Sequence, residues 1–346
     1  MSKKEGESIQ RLDWLDISKG IAIILVIVGH VSLLKWDPYR KIIFSIHMPL
    51  FFIVAGYTSK SKLNADIFIK LLKRLFFPYC ITFLICMVIT GVQTCRFDLP
   101  LEIERFFWAS GVPADYGPGK PVTGESVIPV TGALWFLPCM FFCKVIWTVL
   151  LKYVERYKET VRCILVLALV VLGYVIGQRY KIPMGLDIAV FCIGFMYAGY
   201  LLRKYNMMEK KIVSIGFLAL ILWSMALKSN AIELSARFYR EFPLCIWSFC
   251  GAIAGSYVVF IVADELLNKL PFVREFFIFC GKNSLLILCI HVIEDKVINW
   301  QTLISIVGRP FVTAICIASV RTIFVIFICF FVIRIKKKLT NVVATN

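Results

Sequence analysis

Apolar residues in this chain come in runs of roughly 17–22, separated by shorter polar stretches rich in lysine and arginine. A helix needs about 20 such residues to cross the hydrocarbon core of a bilayer. Ten segments of this kind are drawn, at 17–34, 42–58, 75–94, 131–151, 163–178, 185–202, 212–228, 244–263, 276–293 and 310–333. The second is short and the ninth carries polar residues. The pattern predicts an all-α, polytopic membrane helix bundle of about ten transmembrane helices. No internal repeat stands out. A single integral membrane domain is expected over residues 1–346, with spans at about 17–333 and no soluble extracytoplasmic domain.

Composition agrees with that picture. Hydrophobic residues make up 60% of the chain, against about 45–50% in soluble domains, and a soluble fold leaves too much surface wet to hide them. Most of the 13 cysteines lie inside apolar runs, where they read as small apolar fillers, and no CxxC pair suggests a metal or redox site. The amino-terminal stretch is polar and no small-residue cleavage site follows the first apolar run, which is therefore read as a retained first helix.

The net charge of +17 would point to nucleic acid in a soluble protein. Here the cations flank apolar runs, so lipid headgroups and membrane orientation explain them, and no nucleic-acid partner is expected. The loops at 1–19, 59–74, 152–162, 203–211, 264–275 and 334–346 hold 23 Lys and Arg, and the opposite set holds 13. By the positive-inside rule the first set is cytoplasmic, with both termini inside a multi-pass protein of the cell membrane. The longest outer loop, about 95–130, has Pro, Gly and acidic residues and room for a short surface helix.

Ionisable groups inside a bilayer are costly, so they mark the places where chemistry is expected. All three histidines, His30, His47 and His291, fall within predicted spans and in the same, outer leaflet. Each taken singly is explained by a hydrogen bond to backbone or water, yet histidine is also the side chain best matched to proton transfer near neutral pH. Lys19 precedes His30 by 11 residues. That is three helical turns plus about 20°, so the two share a face about 16 Å apart along the axis. Asp16, three residues before Lys19, is placed to pair with it. The stretch 59–74 carries five cations against one Asp, among them Lys70, Lys73 and Arg74. It reads as an inner anchor or as a site for a phosphorylated cofactor. Trp135 opens the fourth span, where a Trp is usually an interface anchor. Asn283 and Ser284 lie in the ninth span, and Ser284 shares a face with His291. Asp187 begins the sixth span, where a cap is the ordinary reading.

Several of these stretches carry a resemblance: Trp14-Leu15-Asp16-Ile17-Ser18-Lys19-Gly20-Ile21-Ala22, Val28-Gly29-His30, Ser45-Ile46-His47-Met48-Pro49-Leu50-Phe51-Phe52, Ala55-Gly56-Tyr57, Lys73-Arg74-Leu75, Pro78-Tyr79, Leu134-Trp135-Phe136-Leu137, and Gly281-Lys282-Asn283-Ser284 with His291. The chain resembles the acyltransferase-3 family of membrane acyltransferases, above all its fucose 4-O-acetylase-like branch, over about residues 11–335. The family pattern has an arginine where this chain has Lys19, which keeps the charge and removes the bidentate fork.

The resemblance implies transfer of an acyl group, most often acetyl, from cytoplasmic acyl-CoA to a hydroxyl of a cell-envelope carbohydrate or its lipid-linked precursor. Acyl-CoA enters as co-substrate, with no bound cofactor and no metal. Under that reading His30 is the general base or a transient acyl carrier, with His47 sharing the catalytic work. Lys19, Lys70, Lys73, Arg74, Asn283 and Ser284 face the donor. Asp16, Trp135, Asp187 and His291 orient the substrate. The rival readings are a transporter or flippase that moves an envelope precursor without chemistry, and a sensor or membrane partner module. Transport is disfavoured by the absence of paired, Gly/Pro-interrupted helices in two matching halves.

Overall fold

The computed structural model describes residues 12–31, 38–60, 64–108, 132–179, 182–210, 213–228, 244–298, 300 and 310–345. Of the expected loops at 35–41, 228–243 and 294–309, residues 35–37, 229–243, 299 and 301–309 lie outside the described residues, as do the amino-terminal residues 1–11. Among the described residues every regular element is a helix.

Helix α1 (Asp13–Gly29) begins after an extended Leu12, with Asp13 and Asp16 in its first turn, where the positive end of the helix dipole favours carboxylates. It runs through the middle of the molecule, with Ile17, Ile23 and Ile27 at most 1% exposed. Helix α2 (Pro38–Tyr57) returns antiparallel beside it: Trp14 packs on Tyr57 at one end and His30 on Phe44 at the other. Helix α3 (Ala65–Leu71) passes through a π turn, Leu72–Phe76, into α4 (Phe77–Thr94). The short α5 (Leu99–Trp108) is the surface helix expected in the long loop, of which 109–131 lie outside the described residues. Then follow α6 (Phe136–Val154), α7 (Glu159–Arg179), α8 (Leu186–Lys204), α9 (Met207–Lys210), α10 (Val213–Lys228) and α11 (Leu244–Glu265). The chain closes with α12 (Pro271–Lys282), α13 (Ser284–Val297) and α14 (Pro310–Thr345).

Two crossings fix the bundle, and both depend on the missing side chain of glycine. A Cβ on Gly281 of α12 would stand 1.8 Å from the Asp16 carbonyl oxygen, and one on Gly20 of α1 would stand 2.2 Å from that of Phe277. Gly56 and Gly199 do the same for α2 and α8, with backbone at 1.9 Å in each case. Such close backbone approach is how helices associate where lipid supplies no hydrophobic drive between them.

Among the described residues each of the ten sequence segments falls on helix, and the count is refined. Among the described residues, seven helices are long and apolar enough to cross a membrane, or eight if a bent pair is one span. Helix α1, with three charged residues in 17, and α10, with 16 residues, are shorter. The bent pair is α12 and α13, which meet at 74° where one straight ninth span is expected. At the break Asn283 turns its amide onto the Phe279 carbonyl at 2.8 Å, a local bond that competes with the helical ladder. Helix α14 runs past residue 333 because Arg334 and the lysines at 336–338 are good helix formers. Its outer face, with Ile323 and Phe327 exposed, and that of α7, with Ile164 and Leu167 exposed, are apolar. These faces suit a lipid surround, and the chain is a multi-pass membrane protein.

Candidate active site

Residues at three- and four-residue spacing along α1, namely Leu12, Leu15, Asp16, Lys19, Ile23 and Val26, line one side of a cavity of about 480 Å³. Helix α2 supplies Met48, Phe51, Val54 and Ala55, and α13 supplies Ser284, Leu285 and Leu288. Four cations reach the same space: Lys19, Arg74, Lys144 and Arg203. Lys19 is paired with Asp16 at 2.6 Å. Arg203 leans on the carbonyls of Tyr57 and Ser59, at 3.4 and 3.3 Å. Beyond Lys19 the α1 wall becomes apolar and ends at Val26, one helical turn before His30.

His30 caps α1. Its backbone leaves the helix at φ −91° and ψ 7°, and its Nδ1 lies 2.7 Å from the Val26 carbonyl oxygen. A carbonyl oxygen only accepts, so Nδ1 carries the proton and Nε2 is the basic atom of the neutral ring. His47, buried on α2, repeats the arrangement with Ile43 at 2.8 Å. Phe44 stands between the two, 4.8 Å from the His47 ring centroid and 6.0 Å from that of His30. His291, on α13, meets His30 edge to face at 5.4 Å. Its Nδ1 lies 3.3 Å from Glu294 Oε2, an oxygen that also accepts from Arg321 at 3.1 Å. Arg321 further donates to Asp295 at 2.6 Å and to the His30 carbonyl at 3.3 Å. Trp300 donates its indole N–H to the other oxygen of Glu294, and the Arg321 guanidinium lies over the Trp300 ring.

Of the residues singled out in the sequence, Asp16, Lys19, Arg74 and Ser284 come together in the cavity wall, and His30, His47 and His291 gather beyond its apolar end. Lys70 and Lys73 do not join them. Neither lines the cavity, and the π turn at Leu72–Phe76 breaks the α-helical register that would have set Lys70 and Arg74 on one face. Asn283 is spent on the Phe279 carbonyl. Trp135 sits in a 3₁₀ turn, packed against Phe136, and Asp187 lies buried in the first turn of α8, with Gly185 at the cap position instead.

Lys144, Glu294, Arg321 and Trp300 escape the sequence reading. Two had a signal: Lys144 and Arg321 are lone cations within apolar runs, the same cost that draws attention to the histidines. Glu294 follows His291 by three residues, one turn along the same helix face, but reads as a loop acid until its partners are seen.

A family model described as an acyltransferase domain matches residues 12–334. "Nodulation protein NolL" of Sinorhizobium fredii (strain NBRC 101917 / NGR234) is 27% identical over 206 residues, covering 56% of this chain and 50% of the relative. The chain thus spans about half the length of the curated relative it matches. No solved structure matches the chain.

Proposed function

Because the chain belongs to the acyltransferase-3 family, we propose that it is a membrane O-acyltransferase, moving an acetyl or similar acyl group from acyl-CoA to a hydroxyl of a cell-envelope carbohydrate or its lipid-linked precursor. The observation that carries this reading is one cavity that is cationic in its first part and apolar toward the histidines. Lys19, Arg74, Lys144 and Arg203 suit the phosphates of coenzyme A. The apolar stretch past Ile23 and Val26 suits the pantetheine arm, which brings the thioester toward His30 and His291. The positive-inside bias puts the cationic end of the cavity on the cytoplasmic side, where acyl-CoA is found, and both termini with it, in the plasma membrane. The acceptor then arrives from the histidine side.

The chemistry asked of the protein is proton transfer and charge stabilisation. The acceptor oxygen bonds to the thioester carbonyl carbon and loses its proton to a histidine Nε2. The C–S bond breaks, and the sulfur leaves and is protonated. His30 and His291, ring to ring, are the two groups placed to do this. His30 is also placed to carry the acyl group transiently on Nε2.

The test is transfer of radiolabel from acetyl-CoA by the purified protein in nanodiscs to a panel of envelope glycans. Labelled glycan formed by the wild-type protein supports the reading. Well-folded protein that neither binds nor consumes acyl-CoA overturns it in favour of transport.

A further inference from the structure

The two histidines that lie beyond the apolar end of the cavity wall are not equivalent, and the difference lies in what holds them. His30 gives its Nδ1 proton to the neutral Val26 carbonyl. His291 gives its own to a carboxylate, Glu294, in a site where His291, Glu294 and Arg321 are each at most 4% exposed. That carboxylate is held from three sides. Trp300 binds Oε1, Arg321 shares Oε2 with His291, and the His30 carbonyl anchors the same guanidinium.

Charge decides which ring gains by taking a proton. Arg321 contributes one positive charge against two carboxylates, Glu294 and Asp295, so the cluster carries one net negative charge when His291 is uncharged. A proton arriving on His291 Nε2 makes it neutral. A proton arriving on His30 has, among the described residues, no carboxylate in hydrogen-bond contact to offset it. A buried charge is tolerable only when paired and hydrogen-bonded.

We propose that His291 is the proton acceptor of the reaction and that Glu294 is its positioning residue, kept in place by Arg321 and Trp300. This rests on the acyl-transfer reading above. In the step, the acceptor hydroxyl passes its proton to His291 Nε2 as its oxygen bonds to the thioester carbonyl carbon. The tetrahedral intermediate then collapses with cleavage of the C–S bond, and the departing coenzyme A sulfur takes the proton back from His291. The products are the O-acyl ester and the free thiol, and His291 ends as it began. His30 keeps a neutral imidazole throughout, available at Nε2 to the reacting groups.

The chain has only three histidines, so selective ¹⁵N-histidine labelling of the full-length protein in nanodiscs gives three ring systems, assigned with His30→Gln and His47→Gln variants. Wild-type His291 is expected in the Nδ1–H form. Glu294→Gln offers one acceptor oxygen where Glu294 offers two to three donors, so His291 is expected to lose its acceptor and shift toward the Nε2–H form. With acetyl-CoA and the acceptor found for the wild type, kcat is expected to fall about 10- to 100-fold, with KM for acetyl-CoA within about twofold because Glu294 is not in the cavity wall. Glu294→Asp retains the carboxylate, and is expected to keep the Nδ1–H form and to restore part of kcat. It also serves if the amide variant does not fold. A His291 that remains Nδ1–H in Glu294→Gln overturns the positioning role, whatever the activity. A tautomer shift without loss of kcat overturns His291 as proton acceptor. A wild-type protein with the expected tautomer that transfers no acyl group to any acceptor overturns the acyl-transfer reading itself, and the catalytic half of this proposal with it.

Discussion

The rings of His30 and His291 stand edge to face, 5.4 Å between centroids, although 261 positions separate them in the chain. The approach is set by two helix ends. His30 is the cap of α1, and His291 rides on α13, which starts afresh after a 74° bend. The Gly20 and Gly281 contacts that press α12 onto α1 therefore also decide where the histidine pair forms.

Replacing His30 tests the pair most directly. His30→Ala is expected to lower acyl transfer by about 100-fold, because the reacting groups lose the Nε2 acceptor that orients them beside His291. Folded yield by size-exclusion chromatography in detergent should stay at the wild-type level, because the imidazole makes one bond, to its own helix. A well-folded His30→Ala protein with wild-type turnover would remove His30 from the mechanism.

The cations make a sharper comparison. Arg74 and Lys144 face the cavity, while Lys70 and Lys73 are exposed outside it. A hydrogen bond to a charged group contributes about 1.5–3 kcal/mol. Arg74→Ala and Lys144→Ala are therefore each expected to weaken acetyl-CoA binding by about 10- to 100-fold, measured by isothermal titration in nanodiscs. Lys70→Ala should change it less than about twofold. If Lys70→Ala weakens binding as much as Arg74→Ala does, the donor phosphates sit at the rim and not in the cavity.

Much of this arrangement is legible in the sequence, for an identifiable reason. Long apolar runs leave few options other than helices, and ionisable groups within them are too costly to be incidental. That is how the three histidines, Lys19 and Asp16 stand out. The same rule reaches Lys144 and Arg321, which look like stray cations only until a carboxylate or a cavity is placed opposite them. What one strand of sequence does not carry is pairing between distant elements: nothing near Glu294 announces that Arg321, 27 residues later, lies against it. The bend at Asn283 is equally hidden, since Gly281, Asn283 and Ser284 are weak helix formers that tertiary contacts are free to bend or to straighten.

The glycine crossing can be tested on its own. At Gly281 an added methyl would meet the Asp16 backbone at 1.8 Å, and backbone cannot step aside as a side chain can. Gly281→Ala is expected to abolish the monodisperse folded peak in fluorescence-detected size exclusion. Gly91→Ala, whose nearest neighbour would be at 3.7 Å, should leave it intact. A normal Gly281→Ala peak would mean that α1 and α12 are not held backbone to backbone.

Arg321 joins the site to the fold, and its removal should separate stability from activity. The side chain is 2% exposed and satisfies Glu294, Asp295 and the His30 carbonyl together. Arg321→Met leaves the Glu294 carboxylate buried without its cation, and breaking a buried pair in this way costs about 3–5 kcal/mol. A clear fall in thermal midpoint in detergent is expected. Neutralising the orphaned acid as well relieves that cost, because an apolar and amide replacement of a buried ion pair is often nearly neutral. Arg321→Met with Glu294→Gln should therefore recover most of the midpoint lost by Arg321→Met alone. It should not recover acyl transfer, since His291 still lacks its carboxylate. Recovery of both would make the ion network a structural brace with no part in the chemistry. Recovery of neither would mean that Asp295 and the His30 carbonyl, more than Glu294, are what Arg321 holds together.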